Sequence, residues 1–227
     1  MTILGSQPII RMFNVYKRYD KMSALSDISI DINSGELIFI TGPSGAGKTT
    51  LLKLFYKAET VTAGQLLIGG LNLSRVRPSA LYKLRRKFGI IFQDFKLIPS
   101  MTVFENVAIV LEASGEKQRI IERKVSKVLR TVGIEDKKNL YPPSLSGGEQ
   151  QRAAVARAVI GEPEIIIADE PTGSLDPESA RIIIELLREF NERGTTLIIA
   201  THSQELIKQN RGRVIRLKKG QIVEALT

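Results

Sequence analysis

The chain has 227 residues, of which 43% are apolar and 25% charged, a composition typical of a globular protein with one sizeable core or two small ones. It contains no cysteine, which excludes disulfide bonds and thiolate chemistry. The net charge of +9 suits an anionic partner such as a nucleotide, a nucleic acid or an anionic membrane surface.

At the amino terminus, residues 1–8 lack the charged and apolar regions of a signal peptide, so we expect none. No apolar run in the sequence approaches the roughly 20 residues that span a bilayer. We therefore expect a chain that does not cross a membrane by itself.

Residues 9–32 predict an antiparallel β region, because apolar residues alternate with a period of two in 9–15 and in 24–32. Tyr19 lies in the connection between these two strands. An aromatic ring there could stack on an adenine base. Tyr16 is the competing ring, and an ordinary aromatic side chain at a strand edge is the alternative for either.

The next motif fits G-x-x-x-x-G-K-[S/T], the phosphate-binding loop, between an apolar strand at 37–41 and a helix at 50–56. Glycines let the backbone turn its N–H groups toward one anion, and the following helix adds its dipole. Lys48 is expected to reach the β- and γ-phosphates, and the Thr49 hydroxyl to bind Mg²⁺. The expected nucleotide-binding residues are Gly42, Pro43, Ser44, Gly45, Ala46, Gly47, Lys48, Thr49 and Thr50.

After the loop helix we predict a strand at 65–68, a glycine turn at 69–70, a basic helix at 79–87 and a buried strand at 88–92. Gln93 ends that strand. Its amide could touch both Mg²⁺ and an attacking water, although a polar strand end is the simpler alternative.

Residues 94–163 carry helical periodicity at 102–113, 116–131 and 148–160, which predicts a helical insertion between two strands of the core sheet. Thr102 and Glu105 are spaced as a capping box at the first of these helices. Ser146 is a good N-cap for the last one, and Gly147 and Gly148 expose backbone N–H groups at its positive end. This helix start is therefore a second predicted phosphate-binding surface. The helix then presents Arg152 and Arg157, which could simply form a solvated face.

Two acids, Asp169 and Glu170, end an apolar strand that begins at Ile165. Asp169 is placed to bind Mg²⁺, directly or through water, and Glu170 to polarise a water against the γ-phosphate. Asp176 could cap the helix at 178–192. His202, the single histidine, ends a buried strand at 195–201, and a hairpin at 212–223 follows.

In order along the chain, these features closely resemble the ATP-binding cassette (ABC) ATPases. The resemblance covers essentially the whole chain, and its most specific part is the Leu-Ser-Gly-Gly-Glu stretch at 145–149. It implies an α/β fold of the P-loop NTPase class: a RecA-like core sheet, an N-terminal antiparallel β subdomain and an inserted α-helical subdomain. Residues 1–93 and 164–227 would form the core with its β subdomain, and 94–163 the insertion.

The resemblance also implies residue roles and the cofactors ATP and Mg²⁺. Tyr19 would stack on adenine, Gln93 would report the γ-phosphate and Mg²⁺, and Glu170 would be the general base. His202 would be a switch residue that contacts the γ-phosphate, with Lys48 stabilising the developing charge. Ser146, Gly147 and Gly148 would bind ATP held by a second subunit. Glu149 and Asp176 are further expected nucleotide-binding residues, and the expected metal-binding residues are Thr49, Gln93 and Asp169.

Within the family, the chain is most similar to the cell-division ATPases, on residues 44–54, 92–94, 103–108 and 168–173. That similarity implies an ATP-dependent homodimer on the cytoplasmic face of the cell membrane, held there by an FtsX-like integral membrane protein that regulates cell-wall hydrolases. ATPase subunits of lipoprotein-release or macrolide-export transporters are the nearest alternative. A soluble ABC protein acting on nucleic acid or ribosomes is a lesser one, because the chain lacks a second cassette and a long coiled-coil insertion.

Two residues depart from the family pattern: Ser203, where Asp is frequent, and Ser174, where Asn is frequent. A partner-docking groove is predicted where the helical insertion begins, and the alternative is that its apolar residues pack inside the insertion. The groove residues are Phe95, Leu97, Ile98, Pro99 and Phe104.

Overall fold

The computed structural model describes residues 8–226, so seven of the eight residues on which the signal-peptide prediction rests lie outside it. The strands are β1 (Pro8–Tyr19), β2 (Met22–Asn33), β3 (Leu37–Thr41), β4 (Ala63–Ile68), β5 (Leu71–Asn72), β6 (Phe88–Ile91), β7 (Ile165–Asp169), β8 (Thr196–Ala200), β9 (Arg213–Lys218) and β10 (Gln221–Leu226). The helices are α1 (Lys48–Phe55), α2 (Leu81–Arg85), α3 (Val103–Glu112), α4 (Gln118–Thr131), α5 (Gly147–Val159), α6 (Pro177–Glu192) and α7 (Gln204–Gln209). Among the described residues, no helix is long and apolar enough to span a bilayer.

The described residues form two compact units, and the first comprises residues 8–85 together with 191–226. It contains an antiparallel sheet in the order β2–β1–β4–β5. It also contains β3, which pairs in parallel with β8 on one side and β9 on the other, while β10 pairs antiparallel with β9. All five residues of β8, and four of the five of β3, are buried, as expected of parallel strands covered on both faces.

Helix α1 contributes four buried side chains to this core, of which Phe55 is completely inaccessible to solvent. Burying one such side chain stabilises a fold by roughly 1.5–3 kcal/mol. The helix is therefore held in the core through its apolar face.

The second unit comprises residues 86–190. Strands β6 and β7 pair in parallel, and α3 packs against α4 and α5. Helix α5 lies very close to β6: a Cβ atom added at Gly89 would be 2.3 Å from the carbonyl oxygen of Ala158. Gly89 is thus required for the helix to approach the strand.

The predicted antiparallel region, the helices at 102–113, 116–131, 148–160 and 178–192, and the final hairpin are confirmed within one or two residues at most ends. The predicted helix at 79–87 is confirmed as α2, which is two residues shorter at each end. A 3₁₀ turn at Pro78–Ala80 precedes the short α2, and the chain is already extended at Phe88. Strand β5 and helix α7 were not predicted, because each is too short for its periodicity to show. The domain bounds at 93/94 and 163/164 stay a prediction.

Candidate nucleotide-binding site

The phosphate loop joins β3 to α1 in the first unit, and two of its glycines are required by their surroundings. Gly42 has φ 149°, and a Cβ there would lie 2.2 Å from the carbonyl oxygen of Leu217. Gly47 has φ 104°, and a Cβ there would lie 2.8 Å from the Ala24 carbonyl oxygen and 2.8 Å from a methyl carbon of Leu25. The loop is thus wedged between β9 and the start of β2, with no room for side chains at these positions.

The loop is also held by its own hydrogen bonds. Ala46, which is buried, donates from its N–H to the Pro43 carbonyl oxygen over 3.1 Å and accepts from the Gly220 N–H over 3.0 Å. The Lys48 ammonium lies across the loop and donates to the carbonyl oxygens of Gly42 (2.9 Å) and Pro43 (3.3 Å). A loop that is already ordered, with a lysine across it, needs little rearrangement to bind phosphate.

The outer side of the loop is accessible to solvent. Pro43, Ser44, Gly45 and Thr49 are exposed, and Thr50 is half-buried. A Cβ at Gly45 would meet nothing within 4 Å. The residues that the motif assigns to phosphate and metal therefore lie on an open surface at the amino-terminal end of α1.

His202 lies beside this loop. Ile40 and Ala200 are direct partners in the parallel β3–β8 pair, and the Thr201 N–H donates to the Ile40 carbonyl oxygen over 3.0 Å. Because Gly42 and His202 each follow these paired residues by two positions, both lie at the carboxyl ends of neighbouring parallel strands, where ligands bind in open α/β sheets. His202 is exposed. Ser203 accepts from the Leu206 N–H as the N-cap of α7, a role that serine and aspartate fill equally well.

Tyr19 lies at the β1–β2 hairpin, where it is paired with Met22 and 39% exposed. Strand β2 then runs past the phosphate loop at Ala24 and Leu25, the residues that a side chain at Gly47 would strike. The hairpin that carries Tyr19 therefore continues into the strand that borders the loop. Tyr16, the competing aromatic, is half-buried and paired with Ala63 on β4.

In the second unit, Gln93 and Glu170 follow paired parallel strands. Ile91 is the partner of Ala168, so Gln93 and Glu170 each follow this pair by two residues. A Cβ at Gly173 would lie 3.7 Å from the Gln93 amide nitrogen and 3.7 Å from the Glu170 Cβ, so both side chains border one turn. Asp169 and Glu170 are half-buried. Glu170 has φ 47°, a left-handed conformation that non-glycine residues adopt mainly at functional sites and turns.

The Leu-Ser-Gly-Gly-Glu stretch forms the amino-terminal end of α5, closed by a complete capping box. The Ser146 hydroxyl accepts from the Glu149 N–H over 3.3 Å, and the Glu149 carboxylate accepts from the Ser146 N–H over 2.8 Å. That backbone donor lowers the pKa of Glu149 below its ordinary value. Ser146 and Gly147 are exposed. This arrangement confirms the predicted N-cap and leaves the first turn of α5 accessible.

Gly148, in contrast, is buried against the start of α6. A Cβ there would lie 2.5 Å from the Ser179 hydroxyl oxygen. Asp176 accepts from the Ser179 N–H over 2.9 Å, which caps α6 and lowers the pKa of Asp176. The structure thus shows the capping role that the sequence left open for Asp176; its part in nucleotide binding stays a prediction.

Three polar residues that the sequence did not single out as structural supports brace this unit. Gln151 is buried and donates to the Pro171 carbonyl oxygen over 2.6 Å, directly after Glu170. Asn106 is buried, and its amide bonds both the N–H and the carbonyl oxygen of Ile98, over 2.7 and 3.0 Å.

Arg157 is the third support, and a solvated face is wrong for it. Its guanidinium donates to the carbonyl oxygens of Phe95 (2.8 Å) and Lys96 (2.5 Å), two left-handed residues, and burial lowers its pKa. The sequence offers a signal for Gln151, because it is a polar residue on an alanine-rich, buried helix face. For Arg157 it offers none, because the carbonyl oxygens that accept its hydrogen bonds belong to residues 61 and 62 positions away.

The predicted docking residues lie beside these braces. Phe95, Leu97, Ile98 and Phe104 are half-buried and Pro99 is exposed, so none is sealed inside the helical part of the unit. The Phe104 N–H donates to the Lys138 carbonyl oxygen, two residues before the exposed Leu140 and Tyr141. Partly accessible apolar side chains are therefore present in the segment before α3 and in its first turn.

The residues assigned to Mg²⁺ offer a hydroxyl, an amide and one carboxylate: Thr49, Gln93 and Asp169. Within residues 8–226 there is no group of three or more His, Cys, Asp or Glu side chains that could hold a metal by themselves. Hard oxygen donors in small number fit Mg²⁺, which takes most of its ligands from phosphate and water. The donor set thus suits a metal that arrives with a nucleotide.

Comparison with known proteins gives a consistent result. The model of the ABC transporter family matches residues 25–173. The chain is 45% identical over 216 residues to the cell division ATP-binding protein FtsE of Bacillus subtilis, covering 95% of each. It is 41% identical over 217 residues to the methionine import ATP-binding protein MetN of Clostridioides difficile, covering 95% of this chain and 68% of that one.

Among solved structures, the chain matches the ATP-binding cassette MJ0796, in a dimeric post-hydrolysis state bound to ADP and Pi, with a TM-score of 0.88 and 34% identity, covering 95% of this chain and 97% of that one. The predicted α/β fold class of a P-loop cassette is thereby confirmed.

Proposed function

The chain belongs to the ABC transporter family of ATPases, and from that premise we propose that it is the cytoplasmic ATPase subunit of a membrane complex that acts in cell division. Its reaction is the hydrolysis of ATP to ADP and phosphate. The observation that carries the cell-division role is the 45% identity to a cell division ATP-binding protein over 95% of both chains.

In this proposal the first unit binds the triphosphate and the base. The amino-terminal end of α1 and the loop before it supply N–H donors and a dipole to the phosphates, and Lys48 neutralises charge on the β- and γ-phosphates. Tyr19 stacks on the adenine. His202, exposed at the end of β8 beside the loop, contacts the γ-phosphate.

The second unit supplies the groups for the hydrolytic step. Glu170 polarises the attacking water and takes up its proton as the oxygen bonds to the γ-phosphorus and the bond to the β,γ-bridging oxygen breaks. Gln93 and Asp169, with Thr49, are the proposed ligands of Mg²⁺, which when bound neutralises charge on the phosphate oxygens. Gln151 holds the backbone directly after Glu170 and so fixes where this carboxylate is presented.

We further propose that two chains form a C2 dimer with ATP between them. One chain carries one phosphate loop and one Leu-Ser-Gly-Gly-Glu helix start, so an isologous pair makes two equivalent sites. The exposed Ser146 and Gly147 offer the donors of α5 to the nucleotide of the second subunit. In support, MJ0796, 34% identical to this chain, forms a dimer bound to ADP and Pi. Tighter ATP binding to the closed pair would shift the population toward closure, and loss of the γ-phosphate would reverse it.

The proposed partner is an FtsX-like integral membrane protein, which would hold the chain at the cytoplasmic face of the cell membrane and turn ATP-driven closure into control of cell-wall hydrolysis. Its proposed docking surface consists of Phe95, Leu97, Ile98, Pro99 and Phe104. Leu97→Asp should abolish co-purification with a co-expressed partner while MgADP affinity stays unchanged, because a desolvated carboxylate opposes an apolar contact. Val223→Asp, at an exposed apolar residue of β10, is the control. Unchanged co-purification of Leu97→Asp would reject this surface.

The central test is the oligomeric state of Glu170→Gln by light scattering. The substitution keeps the shape of the side chain but removes the base, so MgATP should bind without turnover and a dimer should accumulate with MgATP and not with MgADP. Glu178→Gln, an exposed acid at the start of α6, should hydrolyse ATP normally. A Glu170→Gln chain that hydrolyses ATP at the unaltered rate would show that another residue is the base.

A transport ATPase is the second candidate, because identity to a methionine import subunit is only slightly lower, at 41%. Lipoprotein-release and macrolide-export complexes belong to this same class. ATPase activity stimulated by co-reconstitution with an FtsX-like protein favours cell division, whereas stimulation only by a transporter's membrane subunits favours transport.

A further inference from the structure

Lys17 is a buried lysine beside the predicted adenine-stacking ring. Only 7% of the residue is exposed, and its ammonium makes three close contacts. It lies 2.7 Å from the Glu59 carboxylate, donates to the Thr60 carbonyl oxygen over 3.1 Å, and sits 4.6 Å from the centre of the Tyr19 ring. A cation this close to an aromatic face is attracted to it, and more strongly when it is desolvated.

Glu59 completes the arrangement through its ion pair with Lys17. The Lys17 hydrogen bond is the main cause that lowers the pKa of Glu59. Glu59 thus holds the ammonium that lies over the face of the Tyr19 ring. The ring is still 39% exposed, so part of its surface is open to a ligand.

This cluster is joined to the phosphate loop on two sides. Lys17 is the direct partner of Leu25 across the β1–β2 pair, and Leu25 is the residue that packs against Gly47 of the loop. On the other side, the Glu59 N–H donates to the Lys53 carbonyl oxygen over 3.2 Å, at the carboxyl end of the helix that the loop begins. The Lys17–Glu59 ion pair thus connects the strand that borders the loop with the carboxyl end of α1, and its ammonium contacts the Tyr19 ring.

We propose that Lys17 and Glu59 are positioning residues that hold Tyr19 as a platform for the nucleotide base and so set the affinity for adenine nucleotides. Lys17 occupies one face of the ring, and the base stacks on the other. The proposal rests on the proposed role of Tyr19. The alternative is that the ion pair only connects β1 to the segment after α1. In that case its loss would affect folding and phosphate binding, but not the part of the ADP affinity that comes from the base.

The test is isothermal titration calorimetry with two ligands, each in the presence of Mg²⁺. ADP carries the adenosine, and pyrophosphate lacks it. The variants are Lys17→Met, Lys17→Arg, Glu59→Gln and Tyr19→Ala. Lys21→Met is the matched control, because it removes the same charge from an exposed lysine of the same hairpin. Methionine fills the buried volume of Lys17 without its charge, and arginine retains the cation above the ring.

Lys17→Met should weaken ADP binding by about 10-fold and Glu59→Gln by less, while Lys17→Arg stays within about threefold of the natural chain. Pyrophosphate affinity should be unchanged in all of them. Tyr19→Ala should weaken ADP binding by at least about 10-fold.

Equal losses for ADP and pyrophosphate in Lys17→Met would overturn the inference in favour of the purely structural rival. A Lys17→Met chain that behaves like Lys21→Met while Tyr19→Ala loses affinity would overturn it and leave the role of Tyr19 intact. If Tyr19→Ala binds ADP normally, the proposed base stacking fails, and this inference fails with it.

Discussion

Helices α1 and α5 both begin at glycine-rich turns proposed to bind phosphate, but they are built in opposite ways. Within residues 8–226 no side chain caps α1; its N-cap is Gly47 in a left-handed conformation, wedged against β2. Helix α5 is closed by the Ser146–Glu149 capping box, and its first glycine is exposed. One helix start is shaped by the surrounding fold, and the other by its own side chains.

The difference shows how a helix dipole can be used at two kinds of site. At α1 no side chain caps the first N–H groups, which leaves them available for the proposed phosphates, so tertiary packing must hold the loop in place. At α5 the capping box satisfies part of the first turn locally, so this end is ordered before any ligand arrives, with fewer donors to offer. The first arrangement suits tight binding of a whole triphosphate, and the second suits a surface that completes a site on another subunit.

The largest expected effect is that of Gly47→Ala. A left-handed alanine whose Cβ lies 2.8 Å from a backbone oxygen must displace the loop, so MgADP affinity should fall by about 100-fold, equivalent to about 3 kcal/mol. Gly147→Ala is the matched substitution on α5, where the nearest contact is an ordinary 3.6 Å. It should leave MgADP affinity unchanged and weaken only ATP-dependent dimerisation. Titration calorimetry measures the ADP affinity, and light scattering measures dimerisation. Similar losses of ADP affinity in both variants would contradict the proposed difference between the starts of α1 and α5.

An intermediate effect is expected for Gly148→Ala, which tests the packing of α5 rather than its surface. The new methyl group meets the Ser179 hydroxyl at 2.5 Å, and overpacking of this kind should lower the free energy of unfolding by about 1–3 kcal/mol. The double variant Gly148→Ala, Ser179→Gly removes the obstructing side chain and should regain part of this loss relative to Ser179→Gly alone. Denaturant titration measures both, and strict additivity would show that the two residues are not in contact.

The smallest effect is the pH dependence of the capping boxes at α3 and α5. The backbone N–H of each N-cap lowers the pKa of Glu105 and of Glu149 below the ordinary value of a glutamate. A carboxylate whose folded pKa is depressed stabilises the fold fully above its unfolded pKa, and this stabilisation is lost as the pH falls through the folded value. The melting temperature of the natural chain should therefore exceed that of Glu149→Gln at pH 7 by more than at pH 3. A pH-independent difference would contradict this assignment, and Glu105→Gln should show the same trend without altered dimerisation.

The local features of the fold were predictable from the sequence because their causes lie within a few residues. Thr102 and Glu105 form the predicted capping box, and Ser146 the predicted N-cap, because these side chains reach their own backbone. The positions of several site residues at strand ends were predictable for a related reason: the phosphate loop, Gln93 and His202 each follow an apolar run that forms a parallel strand. Their roles in nucleotide binding stay predictions.

Features that depend on distant partners were not predictable. The left-handed conformations of Phe95 and Lys96 are adopted by residues that rarely prefer them, and Arg157 bonds their carbonyl oxygens from α5. Asn106, a residue of α3, bonds the backbone of Ile98 eight residues earlier, and nothing in the sequence of this helix indicates that contact. The short α2 also departs from the predicted helix, because tertiary context sets where a marginal helix begins.

By itself, the sequence determined the kinds of element, their order, the helix caps and membership of an ATPase family, since these follow from periodicity, spacing and motifs. Only the tertiary structure decided that Lys17 is buried against Tyr19 and Glu59, that Gly148 is closed off while Gly147 is open, and that Arg157 faces inward. Each of these outcomes is set by which surfaces exclude water around a side chain, and that depends on residues brought together from distant parts of the chain.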